Sequence, residues 1–338
     1  MLVSTFASLR EVTFDLNHEL KRDFISDPNS NSNSELELAV KKTLVFFNIF
    51  DYPLTDWEIY KYLWVGDLNR KSFNYGEIKY VLNSAPDGIA HQDGFYFLSG
   101  GEELVLLRKE RQIISRKKYK RALRVIKILS VLPFVKMIAV CNTLAYDNVR
   151  DDSDIDLFIV TAKDKIWTAR FYSLALLKLL RLRPEKDNKK DKFCLNFFIS
   201  EDNLNLQKLT IENDIYFAYW LKQLLPVYND EIFKKLVEEN KDIGQLINNN
   251  SPAGFFNKRK VRQGVIIQGL KSMLEVLNAW GWMEKLLKLI QLKIMPRNMI
   301  AKSEEGTGVV INDKVLKFHV DDRRGDIRNE WEKVTSNQ

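Results

Sequence analysis

Two aspartates sit two residues apart in the segment Ser153-Asp154-Ile155-Asp156-Leu157. In an extended strand such residues point to one face, so both carboxylates share a side while Ile155 and Leu157 turn to the core. Neighbouring carboxylates repel and lose hydration, a cost that a divalent cation between them removes. Hard oxygen ligands suit Mg²⁺, which takes one or two carboxylates and completes its shell with water and substrate phosphates. The plain alternative is a pair of surface acids at a sheet end.

The flanking residues supply a frame for that pair. Phe134-Val135-Lys136-Met137-Ile138-Ala139-Val140 is rich in β-branched and apolar residues and reads as a buried strand. Cys141-Asn142-Thr143-Leu144-Ala145-Tyr146 and an acidic turn follow, and the strand carrying the aspartates runs from Ser153 to Thr161. A third strand is expected over 192–200. Strict alternation there puts Phe193, Leu195, Phe197 and Ile199 on one face and Cys194, Asn196, Phe198 and Ser200 on the other.

Strand, short turn, helix and then Asp-x-Asp on the next strand resembles the nucleotidyltransferase superfamily typified by DNA polymerase β. The resemblance spans about residues 134–200. It implies that Asp154 and Asp156 hold Mg²⁺ and act catalytically on a nucleoside triphosphate. It also implies nucleotide contacts from Cys141, Asn142, Thr143 and Ser153. The family pattern has Gly-Ser where this chain has Cys141-Asn142, which puts a Cβ where glycine lets the backbone approach phosphate. A helix opening after Asn142 would still offer backbone N–H groups to a phosphate. The family's third carboxylate falls at Asn196, whose amide oxygen is a weak metal ligand and no base. Glu201 and Asp202 are the first candidates to replace that base, and Asp191 also flanks the strand. Arg170, in Trp167-Thr168-Ala169-Arg170, either reaches a phosphate or pairs structurally with an acid. The basic loop over 181–192 reads as solvated rather than as a site.

The whole chain also resembles a group of bacterial proteins in which a winged-helix module precedes such a core and a helical tail follows. Phe50-Asp51-Tyr52-Pro53-Leu54-Thr55 and Cys194-Leu195-Asn196-Phe197 are among the segments that carry this likeness. The expected fold class is therefore α/β (α+β), with five parts. Residues 1–34 form an amphipathic helix (over 1–25) and a Ser/Asn-rich linker. Residues 35–100 form a winged helix-turn-helix: a first helix, a second opened by a Thr55/Glu58 capping box, a third near 75–83, and a hairpin turning at Asp93-Gly94. Residues 101–132 form a basic connecting helix. Residues 133–203 form the transferase core, and 204–338 a helical region. In that last part Val265, Ile266, Leu270, Met273, Leu274, Leu277 and Trp280 read as core. A hairpin around Asn312-Asp313, a surface His319 and a loose polar end over 326–338 complete it.

The basic helix holds ten Lys and Arg between 108 and 127. It is either a solvated face or a phosphate-backbone surface that would let the winged helix and this helix bind nucleic acid. The third helix offers only Lys79 as a base, which weakens the DNA reading. The chain has 338 residues and a net charge of +7 (52 − 45). That permits a polyanionic partner without requiring one. Two cysteines exclude a disulfide scaffold and a Cys-rich zinc site. The most apolar stretch, 125–140, is interrupted by Lys127, Pro133 and Lys136, and the first residues lack a signal-peptide pattern. The expectation is a cytoplasmic protein with no membrane partner. It would be a Mg²⁺-dependent nucleotidyltransferase acting on an unknown acceptor, or a degenerate transferase fold that binds nucleic acid.

Overall fold

The computed structural model describes residues 28–68, 71–185, 187–248, 260–278, 280–303 and 305–336. The expected helix over 1–25 lies outside them. Helix α1 (Pro28–Asn48) begins inside what reads as a linker, so its Ser/Asn run is helical in part. Proline is favoured in a helix's first turn. Downstream Leu36, Val40, Leu44 and Phe47 are all buried and pull the helix into register.

A short strand β1 (Leu54–Thr55) leads into α2 (Asp56–Tyr62). The Thr55/Glu58 capping box forms as the sequence suggests, and α3 (Tyr75–Asn83) opens with a second one, Asn74 with Glu77. Strands β2 (Ile89–Gln92) and β3 (Phe95–Leu98) form the expected hairpin. Asp93 and Gly94 both have positive φ, as a tight turn matching strand twist requires. The three strands order as β1-β3-β2. One continuous helix, α4 (Glu103–Leu129), then crosses to the second sheet.

That sheet has six strands in the order β7-β4-β5-β6-β9-β8. Strand β4 (Val135–Val140) runs antiparallel to β5 (Ile155–Thr161), and β6 (Phe193–Ser200) runs parallel to β5, with helix α5 (Ile166–Leu179) as the crossover. After α6 (Ile215–Gln223) comes β7 (Leu225–Tyr228), an edge strand where a helical pattern is expected. Pro226 is tolerated there because only one side of the strand needs ladder bonds. Helices α7 (Asp230–Glu239) and α8 (Lys241–Gly244) follow, then α9 (Val265–Leu277), α10 (Gly281–Ile294) and α11 (Arg297–Lys302). The expected hairpin is β8 (Val309–Ile311) with β9 (Val315–Phe318), and β9 joins the main sheet beside β6.

The two sheet faces bury different cores. One takes Met137, Ala139, Phe158, Val160, Phe197 and Ile199 and packs them with α1, α2, α3 and α6. The other takes Ile138, Ile155, Leu157, Ile159, Phe193, Leu195 and Phe198 and packs them with α4 and α5. Strict alternation in β6 therefore fails: Phe197 and Ile199 lie opposite to Phe193 and Leu195. The pairing with β5 slips between Asp156/Cys194 and Phe158/Phe197, which marks a bulge. The N-terminal unit shares its core with α6.

The polar segment over 324–335, expected to be loose from 326 on, is a packed helix. Helix α12 (Arg324–Thr335) packs on α1. Trp331 is 6 % exposed, donates its indole N–H to the Lys42 carbonyl at 2.9 Å and meets Trp64 edge-on. Trp331→Ala should lower unfolding stability by about 3–5 kcal/mol in urea titration. A loss below about 1 kcal/mol would mean the helix is only loosely attached. His319 is half-buried against Phe197, and its pKa is lowered to about 4 by burial and by nearby Lys317 and Arg324.

Candidate metal and phosphate site

Asp154 stands just before β5 and Asp156 is its second residue, both half-buried. Ile155 and Leu157 on either side are buried in the face toward α4 and α5, so alternation turns the two carboxylates to the opposite face. The parallel pairing of β5 with β6 places Cys194 directly beside Asp156. One ligand atom each from Asp154, Asp156 and Cys194 falls within 4.8 Å of the others.

The electrostatics of this cluster follow from that placement. Asp156 is pushed up from 3.8 to about 7, first by burial and then by the charge on Asp154. Side-chain hydrogen bonds with Asn142 and Cys194 act in the opposite direction and do not prevail. The Cys194 thiol is itself pushed up by burial and by both aspartates, so it stays protonated and hydrogen-bonds to the carboxylates. The cluster can share a dication between two carboxylate oxygens, with the Cys194 sulfur within reach as a third donor.

The loop between β4 and β5 differs from its expected form. Cys141 is extended (φ −130°), is buried in the core and is held by a sulfur hydrogen bond with Trp220. The residue in the left-handed region is Asn142, with φ 55°. Asparagine accepts that conformation better than most non-glycine residues, which is one physical reason it can stand here. Cys141→Gly should accordingly not open a phosphate cradle. It should cost about 1–2 kcal/mol from lost packing, read as a lower denaturation midpoint with unchanged triphosphate binding. Tighter binding in that variant would show that the Cβ does crowd the ligand. The expected helix after Asn142 is a single 3-10 turn (Asn142–Leu144), too short for a helix-terminus phosphate site.

Residues of α4 hold this loop. Arg108 is buried, pairs with Glu58 of α2 at 2.7 Å, donates to the Tyr146 and Asp147 carbonyls and lies over the Tyr52 ring. Arg111 donates to the Phe50 carbonyl and to Asn148 Oδ1. Ser115 Oγ accepts from the Val149 N–H. Lys118, also buried, donates to the Ser153 carbonyl at 2.7 Å and pairs with Asp191 at 2.9 Å, and Arg121 donates to the Asp191 carbonyl. Four of the ten bases in the stripe are thus structural. Their spacing of three, seven and three residues puts Arg108, Arg111, Lys118 and Arg121 on one helix face, a signal present in the sequence.

Not every sequence candidate is brought here. Ser153 immediately precedes the pair, but its hydroxyl donates to the Arg150 carbonyl. Thr143 is half-buried in the loop, and its carbonyl accepts from Asn148 N–H. Asn196 lies two residues beyond Cys194 on β6, half-buried; the side chain that meets the carboxylates is Cys194. Arg170 is elsewhere: it packs on the other sheet face, over Phe318, and donates to Gln291 at 2.7 Å. Glu201 and Asp202 follow the far end of β6, about 20 Å from Cys194 at the rise of an extended strand. There Glu201 accepts from Lys163 N–H, and Asp202 binds Ser200 and Lys314. Neither can serve as a base for the pair, and Asp191 is engaged by Lys118.

A narrow cleft beside Asn142 is lined by Phe46, Phe50, Tyr146, Tyr216, Tyr219, Trp220 and Gln223. A roomier cavity of about 220 Å³, around Asn229, Asp230, Lys260 and Arg262, touches neither aspartate. Compared with protein-family models, curated proteins and solved structures, the chain matches none.

Proposed function

We propose that the chain is a divalent-metal-dependent nucleotidyltransferase with a polymerase β-like core and a winged-helix unit packed against it. The observation that carries this reading is the Asp154/Asp156 pair beside Cys194, held half-buried at one sheet end with Asp156 raised to about 7. Such a pair is costly to keep ionised without a cation and well suited to one. Support also comes from the topology, in which the carboxylate strand lies between an antiparallel and a parallel neighbour.

In this reading Asp154 and Asp156 hold Mg²⁺, which when bound neutralises triphosphate charge and polarises the α-phosphoryl group. Asn142 orients Asp156 through its side-chain hydrogen bond. The α4 contacts keep the loop over 141–153 in place. An acceptor oxygen attacks the α-phosphorus in line, the bond to the departing pyrophosphate breaks, and the acceptor's proton passes to water.

The test is incubation with each labelled triphosphate and Mg²⁺ or Mn²⁺, alone and with cell extract. Metal-dependent transfer of label that disappears in Asp154→Asn supports the reading. No binding of any triphosphate under any condition contradicts it.

A specific observation favours a second reading, a degenerate fold that binds nucleic acid. Beside the aspartates stands a thiol in place of a third carboxylate, while Arg116, Lys117, Lys120, Arg124 and Lys127 are exposed on α4. The winged-helix part of that reading is weakened, because Lys79 on α3 is tied to Asp56 at 3.0 Å. Binding of duplex DNA or structured RNA should fall steeply with salt. It should weaken across all sequences when Arg116, Lys117 and Lys120 are changed to Gln. Lys118 is left out of that set because it is structural. Affinity that is flat with salt would remove this reading.

A further inference from the structure

Helix α9 is mounted inside out, and α10 is so in part: its Leu287 is buried while Leu286, Leu289 and Ile294 are exposed. On α9 the polar residues Lys271, Glu275 and Asn278 face the protein. Lys271 is 7 % exposed and donates to the Ser130 carbonyl at 3.0 Å and to Tyr228 Oη at 3.1 Å. Glu275 accepts from Phe134 N–H and pairs with Lys136. Asn278 accepts from Tyr172 Oη at 2.6 Å. On α10, Glu284 accepts from the backbone N–H groups of Trp167 and Thr168, and Gln291 binds Arg170 and the Trp167 carbonyl.

The apolar residues that the sequence suggests as core point outward instead. Val265 is 84 % exposed and Ile266 89 %, and Leu270, Met273, Val276 and Leu277 are exposed along the same helix. Trp280 and Trp282 are exposed at the turn between the helices, and Leu286, Leu289 and Ile294 continue the surface on α10. A helix normally turns its apolar stripe to the core. Two consecutive helices that leave this many apolar side chains outward present a surface suited to a hydrophobic environment outside the chain.

Charge says which environment. Residues 260–302 contain eight Lys and Arg and two acids, 8 − 2 = +6, nearly the whole +7 of the chain. Both acids, Glu275 and Glu284, are turned inward to the partners just named. Arg262 lies just before the apolar surface and Arg297 just after it; these two and Lys285 and Lys293 are exposed. Apolar residues with tryptophans, rimmed by exposed bases, match the acyl-headgroup boundary of an anionic bilayer. A second copy of the chain would instead set two surfaces against each other that each carry the exposed bases Arg262, Lys285, Lys293 and Arg297. No helix of the described residues is long and apolar enough to cross a membrane, which is consistent with lying in the interface.

We propose that the outward faces of α9 and α10 dock the protein onto an anionic lipid surface. This departs from the sequence expectation of no membrane partner and does not rest on the metal site. The test is flotation of the full chain with vesicles of phosphatidylcholine alone and with about 30 % phosphatidylglycerol. The expected result is binding to the anionic vesicles, weakened by salt, and reduced about tenfold in Leu270→Glu/Val276→Glu. Both positions are exposed, so the variant should keep the wild-type circular dichroism spectrum. Lys285→Gln/Lys293→Gln should weaken binding and flatten its salt dependence. Wild-type protein that stays unbound with anionic vesicles overturns the proposal. That includes the case in which sedimentation velocity finds a dimer broken by Leu270→Glu/Val276→Glu, which would assign the surface to a second copy.

Discussion

Asp154→Asn and Asp156→Asn are each expected to lower metal-dependent nucleotidyl transfer by about 10³-fold or more while leaving the fold intact. The size follows from the several kcal/mol of charge stabilisation that a metal site supplies to phosphoryl chemistry. The substitutions keep side-chain volume, and both positions are half-buried at a sheet end rather than packed in a core. Cys194→Asp works in the other direction. It puts a third carboxylate beside Asp154 and Asp156 and should tighten Mg²⁺ binding about tenfold, while making the metal-free protein less stable. Label transfer, with thermal unfolding as the folding control, checks all three. Activity retained in Asp154→Asn would mean the chemistry lies elsewhere.

The contribution of Asp156 to the stability of the metal-free protein should fall as pH rises from about 4 to about 7. His319, whose pKa is lowered from 6.5 to about 4, contributes an opposite rise, so the effect is read as the difference between wild type and Asp156→Asn. Asp156 has its carboxyl raised from 3.8 to about 7 by burial and by Asp154. Between those values the folded state holds a proton that the unfolded state has released. Stability from this group is thus fully present below pH 3.8, falls through the window and is gone above about pH 7. The slope is ~1.4 kcal/mol per pH unit for one such proton. Asp156→Asn should remove this contribution, leaving the rise due to His319, and be more stable than wild type at about pH 8 without metal. Mg²⁺ should raise the wild-type Tm at about pH 8 and do little at about pH 5, where a proton occupies the site. A wild-type stability curve parallel to that of Asp156→Asn would show that Asp156 is not perturbed by its surroundings.

Local signals in the sequence carried far. The Thr55/Glu58 box, the Asp93-Gly94 turn, the strand over 135–140 and the common side of Asp154 and Asp156 all rest on contacts within a few residues. What was illegible depends on distant partners. The bulge in β6 arises from pairing with β5, and it decides which face Phe197 and Ile199 join. Cys194 as the aspartates' neighbour follows from that same parallel register. Arg170 sits on the far face because α5 covers the side away from the carboxylates. Pro226 reads as a helix stop, yet the residues around it form an edge strand once β4 is present. The polarity of α9 shows in the sequence as an amphipathic pattern, but periodicity says only that two faces differ. Which face turns inward was set by Lys271 and Glu275 meeting the Ser130 and Phe134 backbone.

The most direct measurement is calorimetric titration of Mg²⁺, and of Mn²⁺ as its spectroscopic surrogate, into the protein at about pH 8, with and without a non-hydrolysable triphosphate. The expected result is a saturable metal site that tightens when triphosphate is present, is lost in both Asp154→Asn and Asp156→Asn, and is strengthened in Cys194→Asp. Metal binding that persists unchanged in both asparagine variants, or a wild-type protein that binds neither metal nor triphosphate, would contradict it.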